Sequence, residues 1–298
     1  MRLCYSVHME KIKTLSDAIN WAKEGGVALG HFNISDSTQL NGIAKAAWDA
    51  RVPVIVGVSE GERDFLGGNK VVPMVRAARE EFGIPIFANA DHVHDVEGCK
   101  RAIDWGFDSV IFDGSKLPME ENVAMARKVV AYANESGREV IVEGEVGYIG
   151  TSSKLLDDIP EDVLTDALPS SADVKKYVDE TGVTAVAPAV GNLHGMLKGR
   201  ANPSLRIDLI REISGAVGIP MVLHGGSGLS NEDFKEAILA GMRIVHINTE
   251  IRLAYRKGIE EALADNKEEI APYRYLGRGR DVLSEVVKKR LLLFSAKA

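Results

Sequence analysis

Residues 84–95 read IPIFANADHVHD. A short apolar run of β character breaks into a polar cluster, and Asp91 and His92 stand side by side where it ends. An acid beside an imidazole at a strand terminus joins a proton carrier to a metal ligand. Such pairs are common, so its meaning depends on how many similar run ends the chain holds and where they meet.

Outward from this stretch the same unit recurs. Apolar runs ending in small or polar residues lie at 27–33 (VALGHFN), 52–59 (VPVIVGVS), 85–92 (PIFANADH) and 109–115 (SVIFDGS). Four more lie at 140–147 (VIVEGEVG), 184–191 (TAVAPAVG), 220–227 (PMVLHGGS) and 243–250 (RIVHINTE). They lack strict two-residue alternation, so both faces are expected to be buried, as in a parallel sheet covered by helices. Amphipathic stretches lie between them, among them STQLNGIAKAAWDA, ENVAMARKVVAYANES and NEDFKEAILAGM. Gly83, Gly106, Gly137, Gly182, Gly218 and Gly241 stand where helix C-caps are expected. Eight strand–helix units in 298 residues predict an α/β chain forming one closed (β/α)8 TIM barrel, a single domain over 1–298. An open doubly wound sheet would carry a glycine-rich dinucleotide turn after its first strand, and GHFNIS is not one. An N-terminal helix is expected over 16–24, stopped by Gly25-Gly26. An extra C-terminal helix, DVLSEVVKKRLLLF, is too apolar to be left exposed and should pack on the barrel or a partner subunit. The connection GYIGTSSKLLDDIPEDVLTDALPSS exceeds what a helix crossover needs, the mark of a lid or binding loop.

Composition narrows the class. Hydrophobic content of 45% and charged content of 27% are ordinary globular values. A net charge of −7 without a basic stripe argues against nucleic acid as a partner. No run is long enough for a membrane span, and Cys4 and Cys99 form neither a disulfide framework nor a metal spacing. A soluble protein of the reducing cytoplasm is expected.

In such a barrel every strand delivers its C-terminal residues to one rim. Arriving there are Asn33, Ser59, Asp91, His92, Asp113, Glu143 and Glu145 from the first five runs. His194, His224 with the GGSG of Gly225 to Gly228, His246, Asn248 and Thr249 follow from the last three. His92, His194 and His224 close their strands, and three imidazoles at one rim are the ligand set of an open catalytic zinc site. His8 reads as a surface residue; His94 lies outside the set but forms an H-x-H with His92. HGGSG resembles a phosphate cradle, with glycines that let backbone N–H groups approach an oxyanion and a helix starting near Ser230. None of the eight runs contains a lysine, so Schiff-base chemistry has no candidate and the electron sink for carbonyl chemistry would be the metal.

Taken in order, FN, VSEG, ADH, FDGS, EGEVG, GNLHG, LHGGSG and INTE resemble the class II (zinc-dependent) fructose-bisphosphate/tagatose-bisphosphate aldolase family, from about Ser16 to the YLGRGRD tail. The resemblance implies a lyase of carbohydrate metabolism that reversibly cleaves a ketose bisphosphate. Fructose 1,6-bisphosphate is the first expectation, giving dihydroxyacetone phosphate and glyceraldehyde 3-phosphate. His92, His194 and His224 would hold Zn²⁺ or another divalent transition metal, which polarises the ketose carbonyl and stabilises its enediolate. Asp91 would move the proton of the hydroxyl at the bond that is cleaved. Gly195, Gly225, Gly226, Ser227, Asn248 and Thr249 would hold the ketose-side phosphate and hydroxyls, and Asn33 and Ser59 the aldehyde side. Lys198 matches a family lysine close behind a metal ligand and is taken as a substrate contact. Asp113 and Glu145 match a possible second cation position, or else only orient the histidines. Glu143 is read as structural. A homodimer or homotetramer is expected.

Two departures stand out. The family's mobile loop after the fifth strand usually reads GGEED, and its glutamate carries a proton at the ketose carbon; here 150–153 reads GTSS, with Asp157, Asp158 and Glu161 as the next carboxylates. His246 replaces an asparagine that touches the reacting ketose, which opens tagatose bisphosphate or another ketose phosphate as substrate. A metal-dependent hydrolase, prompted by His92-x-His94, would want its H-x-H on the first strand and a bridging lysine. A non-catalytic barrel partner is favoured by the missing glutamate and opposed by the intact histidine set.

Overall fold

The computed structural model describes residues 9, 11–150, 153–161, 163 and 168–297. Ten strands are formed among the described residues: β1 (Leu29–Asn33), β2 (Val54–Val58), β3 (Ile86–Val93), β4 (Ser109–Phe112), β5 (Ile141–Val146), β6 (Leu155–Leu156), β7 (Ala185–Pro188), β8 (Met196–Leu197), β9 (Met221–Leu223) and β10 (Met242–Ile247). Each of the eight apolar runs yields one parallel strand of a closed barrel, ordered β1-β2-β3-β4-β5-β7-β9-β10. The two short strands β6 and β8 pair with each other outside it, tying the loop after β5 to the loop after β7.

The helices are α1 (Leu15–Gly25), α2 (Ser37–Ala50), α3 (Glu60–Leu66), α4 (Gly68–Phe82), α5 (Val96–Trp105), α6 (Met119–Glu135), α7 (Ser171–Thr181), α8 (Ile207–Ala216), α9 (Asn231–Ala240), α10 (Thr249–Asp265) and α11 (Pro272–Phe294). Strand residues pointing outward, such as Phe32, Val56, Ala88 and Val142, pack with the helices in one large core. Inward ones build a second core of Leu29, Ile55, Phe87, Ile141, Ala185, Val222 and Ile244, joined by Leu15, Ala18, Ile19 and Ala22 of α1. The N-terminal helix thus plugs the lower mouth of the barrel, and burial there leaves the opposite rim as the open end. Its start is fixed by a capping box between Thr14 and Asp17 and its end by Gly26 at φ 62°.

The C-terminal helix starts earlier than its apolar pattern suggested, because Pro272 is compatible with a first helical turn. It packs on the barrel through buried Leu283, Val287, Leu291 and Phe294. Close approach to α10 requires Gly258, where a Cβ would lie 2.6 Å from the Arg278 carbonyl oxygen. Gly83, Gly106 and Gly182 cap their helices at positive φ, but α8 ends on Val217 in extended conformation and Gly218 is no left-handed cap. Helix α3 was not anticipated; the Ser59–Glu62 capping box that starts it lies inside VSEGE. Among the described residues no helix is long and apolar enough to cross a membrane. Cys99 is buried; Cys4 and His8 lie outside the described residues.

Candidate active site

The inward-facing positions change from apolar to polar toward the open rim along four of the strands. On β1 the sequence Leu29, His31, Asn33 does this, on β3 Phe87, Asn89, Asp91, on β5 Ile141, Glu143, Glu145, and on β10 Ile244 and His246 before Asn248. His92 breaks the two-residue alternation. The ladder between β3 and β4 shifts register between Ala90 and Val93, and His92 sits at φ 44°. This bulge turns His92 onto the same cleft as Asp91. A non-glycine residue held there costs on the order of 1–3 kcal/mol, a strain typical of functional positions.

His92 from β3, His194 from the loop after β7 and His224 just past β9 each offer a nitrogen within 4.8 Å of the others. The second nitrogen of each is held. His92 Nδ1 pairs with Asp113 Oδ2 at 2.8 Å, His224 Nε2 with Glu143 Oε1 at 2.7 Å, and His194 Nδ1 with the Gly150 carbonyl at 2.6 Å. That leaves His92 Nε2, His194 Nε2 and His224 Nδ1 as the atoms that could bind a cation. Such outer partners fix ring orientation and tautomer in metal sites. Glu145 Oε2 lies 3.4 Å from His92 Nδ1 and 3.3 Å from His224 Nδ1.

The electrostatics fit a cation. Burial opposes protonation of His92, yet Asp91, Asp113 and Glu145 outweigh it and raise its pKa to about 9. Burial likewise opposes a charge on His224, but Glu143 and Glu145 raise its pKa well above the ordinary value. His194 has only a carbonyl partner, so burial and the neighbouring imidazoles push it down to about 3. Burial works against ionisation of Asp113 too, and the bond to His92 reverses this and lowers its pKa. Burial and the Asp113 charge raise that of Glu145. His224 Nδ1 and Glu145 Oε2 are buried without a hydrogen-bond partner among the described residues. A divalent cation would satisfy both and replace the protons that the carboxylates draw onto the imidazoles. His92, Asp113 and Glu145 form a second group of metal-competent atoms sharing His92.

Asp91 is buried beside the triad, with burial raising its pKa but the charge of His92 and the closeness of His246 dominating to lower it well below the carboxylate range. Its Oδ2 accepts from Asn33 Nδ2 at 2.8 Å. Asn33 also donates to Glu62, which accepts from the Ser59 hydroxyl and pairs with Arg252. Arg63, itself buried, donates to the carbonyls of Val58 at 2.6 Å and Asp91 at 2.9 Å and pins the end of β3 to β2. Glu62, Arg63 and Arg252 were missed by the sequence reading. The Ser59-x-x-Glu62 spacing was a visible signal; Arg252, one turn into α10, left none.

The glycine segment after β9 is held in place by its neighbours. A Cβ on Gly225 (φ 62°) would lie 2.4 Å from the Leu193 carbonyl oxygen, and one on Gly226 2.7 Å from that of His246. Gly226 N–H donates to the His246 carbonyl and Gly228 N–H to Glu250. The amides of Gly225, Ser227 and Thr249 make no hydrogen bond among the described residues and remain for an oxyanion. Asn202 ties Gly195 and Ser227 together through their carbonyls.

The cleft, about 230 Å³, is lined by Asn33, Ser59, Asp91, His92, Asp113, His194, Gly195, Gly225, Ser227, His246, Asn248 and Thr249 among the expected residues. Gly226, Glu145 and the 1% exposed His224 lie behind this surface. His94 and Arg252 line it as well. Lys198 does not: it is half exposed on the β6–β8 ribbon and pairs with Asp157 at 2.7 Å. Asp158 pairs with Arg200 on the same ribbon, and neither aspartate nor the exposed Glu161 lines the cleft. Thr151 and Ser152 lie outside the described residues.

A family model described as "Fructose-bisphosphate aldolase class-II" matches residues 13–298. Fructose-bisphosphate aldolase of Staphylococcus aureus is 39% identical over 276 residues, spanning 92% of this chain and 93% of that protein. Among solved structures, the YdjI aldolase of Escherichia coli K12 superposes with a TM-score of 0.78 at 24% identity, covering 95% of this chain and 96% of that one. Fructose-bisphosphate aldolase of Campylobacter jejuni does so with a TM-score of 0.78 at 21% identity, covering 94% and 93%. At these identities the superpositions speak for the barrel fold alone. The sequence match over nearly the whole chain places it in a group of carbon–carbon lyases: the chain belongs to the class II fructose-bisphosphate aldolase family.

Proposed function

We propose that this chain cleaves fructose 1,6-bisphosphate reversibly into dihydroxyacetone phosphate and glyceraldehyde 3-phosphate, using Zn²⁺ held by His92, His194 and His224. The observation that carries the reading is the convergence of three imidazoles, each with its second nitrogen already held, beside a buried ionised Asp91. Zinc, when bound there, supplies a Lewis acid that draws electron density from the ketose carbonyl. Asp91 takes the proton of the C4 hydroxyl as the C3–C4 bond breaks, so the hydroxyl oxygen becomes the aldehyde carbonyl and the electron pair stays with C3. Asn33 holds Asp91 Oδ2, leaving Oδ1 for that hydroxyl. Gly225, Ser227 and Thr249 hold the ketose-side phosphate through their amides, and Arg252 and Ser59 face the aldehyde-side phosphate. Asp113 and Glu145 act on the histidines, and Asp157 and Asp158 are engaged with Lys198 and Arg200.

The test is a coupled assay of triose phosphate release from fructose 1,6-bisphosphate, with added Zn²⁺, after chelation, and in His224→Ala. Cleavage that chelation removes, zinc restores and the variant lacks is expected. Stoichiometric zinc with no cleavage would reject the substrate; neither zinc nor cleavage would reject the aldolase.

A further inference from the structure

His31 and His246 stack face to face, ring centroids 3.5 Å apart and planes 4° from parallel. Only His246 reaches the cleft; His31 is 0% exposed beneath it. A chain of contacts holds His31 in place. Its Nε2 pairs with Asn89 Oδ1 at 3.1 Å, and Asn89 Nδ2 donates to Ser109 Oγ at 2.6 Å. The ring lies over Gly57, where a Cβ would come within 2.1 Å of His31 Cε1. On the far side of His246 the His224 ring stands 4.4 Å away. The two neighbouring rings therefore set the plane of the His246 ring.

In that plane His246 Nδ1 lies 3.6 Å from Asp91 Oδ1. Asp91 Oδ1 is buried and makes no hydrogen bond among the described residues, while Oδ2 is taken by Asn33. His31, Asp91 and His246 also have nitrogen and oxygen atoms close enough for a metal. Parallel stacked imidazoles cannot both direct in-plane lone pairs at one ion, so the group serves another purpose. A hydroxyl oxygen placed between His246 Nδ1 and Asp91 Oδ1 accepts from one and donates to the other.

We propose that His246, with its ring plane set by His31, reads the configuration at the carbon whose hydroxyl Asp91 deprotonates, and so decides which C4 epimer of a ketose bisphosphate is cleaved. This rests on the aldolase reading above. In the matching epimer the C4 hydroxyl satisfies both groups. In the other it points elsewhere and leaves a buried N–H and a buried carboxylate oxygen unmatched, the mismatch that gives hydroxyl-reading sites their large discrimination. His31 is a positioning residue, because it acts only through His246.

The test measures kcat and KM of the zinc-loaded full chain on fructose 1,6-bisphosphate and tagatose 1,6-bisphosphate, which differ at C4. The unaltered chain is expected to favour one epimer by about tenfold or more in kcat/KM. His246→Phe keeps the stack and loses the N–H, and should erase about tenfold of that ratio at the expense of the favoured sugar. His246→Gln, which retains a donor, should keep most of the preference. His31→Leu should shift the ratio the same way, and His31→Leu/His246→Phe should shift it no further than His246→Phe alone. Bound zinc and the thermal midpoint identify a variant that has not folded; should Phe fail so, His246→Leu, which carries no donor, takes its place. Equal cleavage of both epimers by the unaltered chain, or a ratio unmoved by the His246 variants, would overturn the proposal. Additive effects in the double variant would overturn the role of His31. Cleavage of neither sugar by the zinc-bound unaltered chain would instead reject the aldolase reading, before any variant is compared.

Discussion

The imidazole of His224 donates from Nε2 to Glu143 Oε1 across 2.7 Å, with both side chains buried. This bond decides that Nδ1, not Nε2, faces the histidine triad. On the proposed zinc reading Glu143, read from sequence as structural, would be a positioning residue for a metal ligand. Glu143→Gln keeps the shape and removes the charge that favours this tautomer. Zinc affinity should fall by about 10–100-fold, as for other outer partners of ligating histidines. Competition against a chromophoric chelator measures it, and an unchanged affinity would refute the role.

Metal uptake should release protons. In the metal-free chain His92 has its pKa raised from 6.5 to about 9. Its protonation therefore contributes stability that is complete below pH 6.5 and is lost as pH rises through about 9. Zinc competes with that proton, so its affinity should rise between these values by about tenfold per pH unit for each proton displaced. Calorimetric titration in buffers of different ionisation enthalpy counts the protons; a pH-independent affinity would contradict the charged state assigned to His92.

Arg63 holds the carbonyls of Val58 and Asp91 from a buried position. Arg63→Met fills similar space but leaves both acceptors without a donor, which should cost about 2–4 kcal/mol of stability. A lower thermal midpoint and a reduced kcat are expected together, since Asp91 loses its backbone anchor. A variant as stable and active as the parent would show that solvent replaces the guanidinium.

Asp157 and Asp158 are exposed and face Lys198 and Arg200 on the β6–β8 ribbon, away from the cleft. Exposed pairs of this kind contribute little to stability. Asp157→Asn/Asp158→Asn should leave kcat within about twofold, because neither pair lies where a substrate proton moves. A fall in kcat of a hundredfold or more with KM unchanged would mean that one of them reaches the ketose carbon after all.

The barrel was legible in the sequence because its cause is local and repeated. Eight apolar runs bounded by turn residues, each followed by a helical stripe, leave little else that buries them all. The rim residues were legible for the same reason: Asn33, Asp91, Glu145 and Asn248 are polar groups at the ends of apolar runs, where burial alone does not explain them. Three features were not. The bulge that turns His92 beside Asp91 depends on register against β4. The stack of His31 on His246 joins the first strand to the last, and Arg252 meets Glu62 across 190 residues of chain. Residue type and spacing determined which side chains reach the rim, because strand periodicity and burial act over a few residues. Closure of the barrel decided which of them touch, because hydrogen bonds and ring contacts act over a few ångströms between segments the sequence holds far apart.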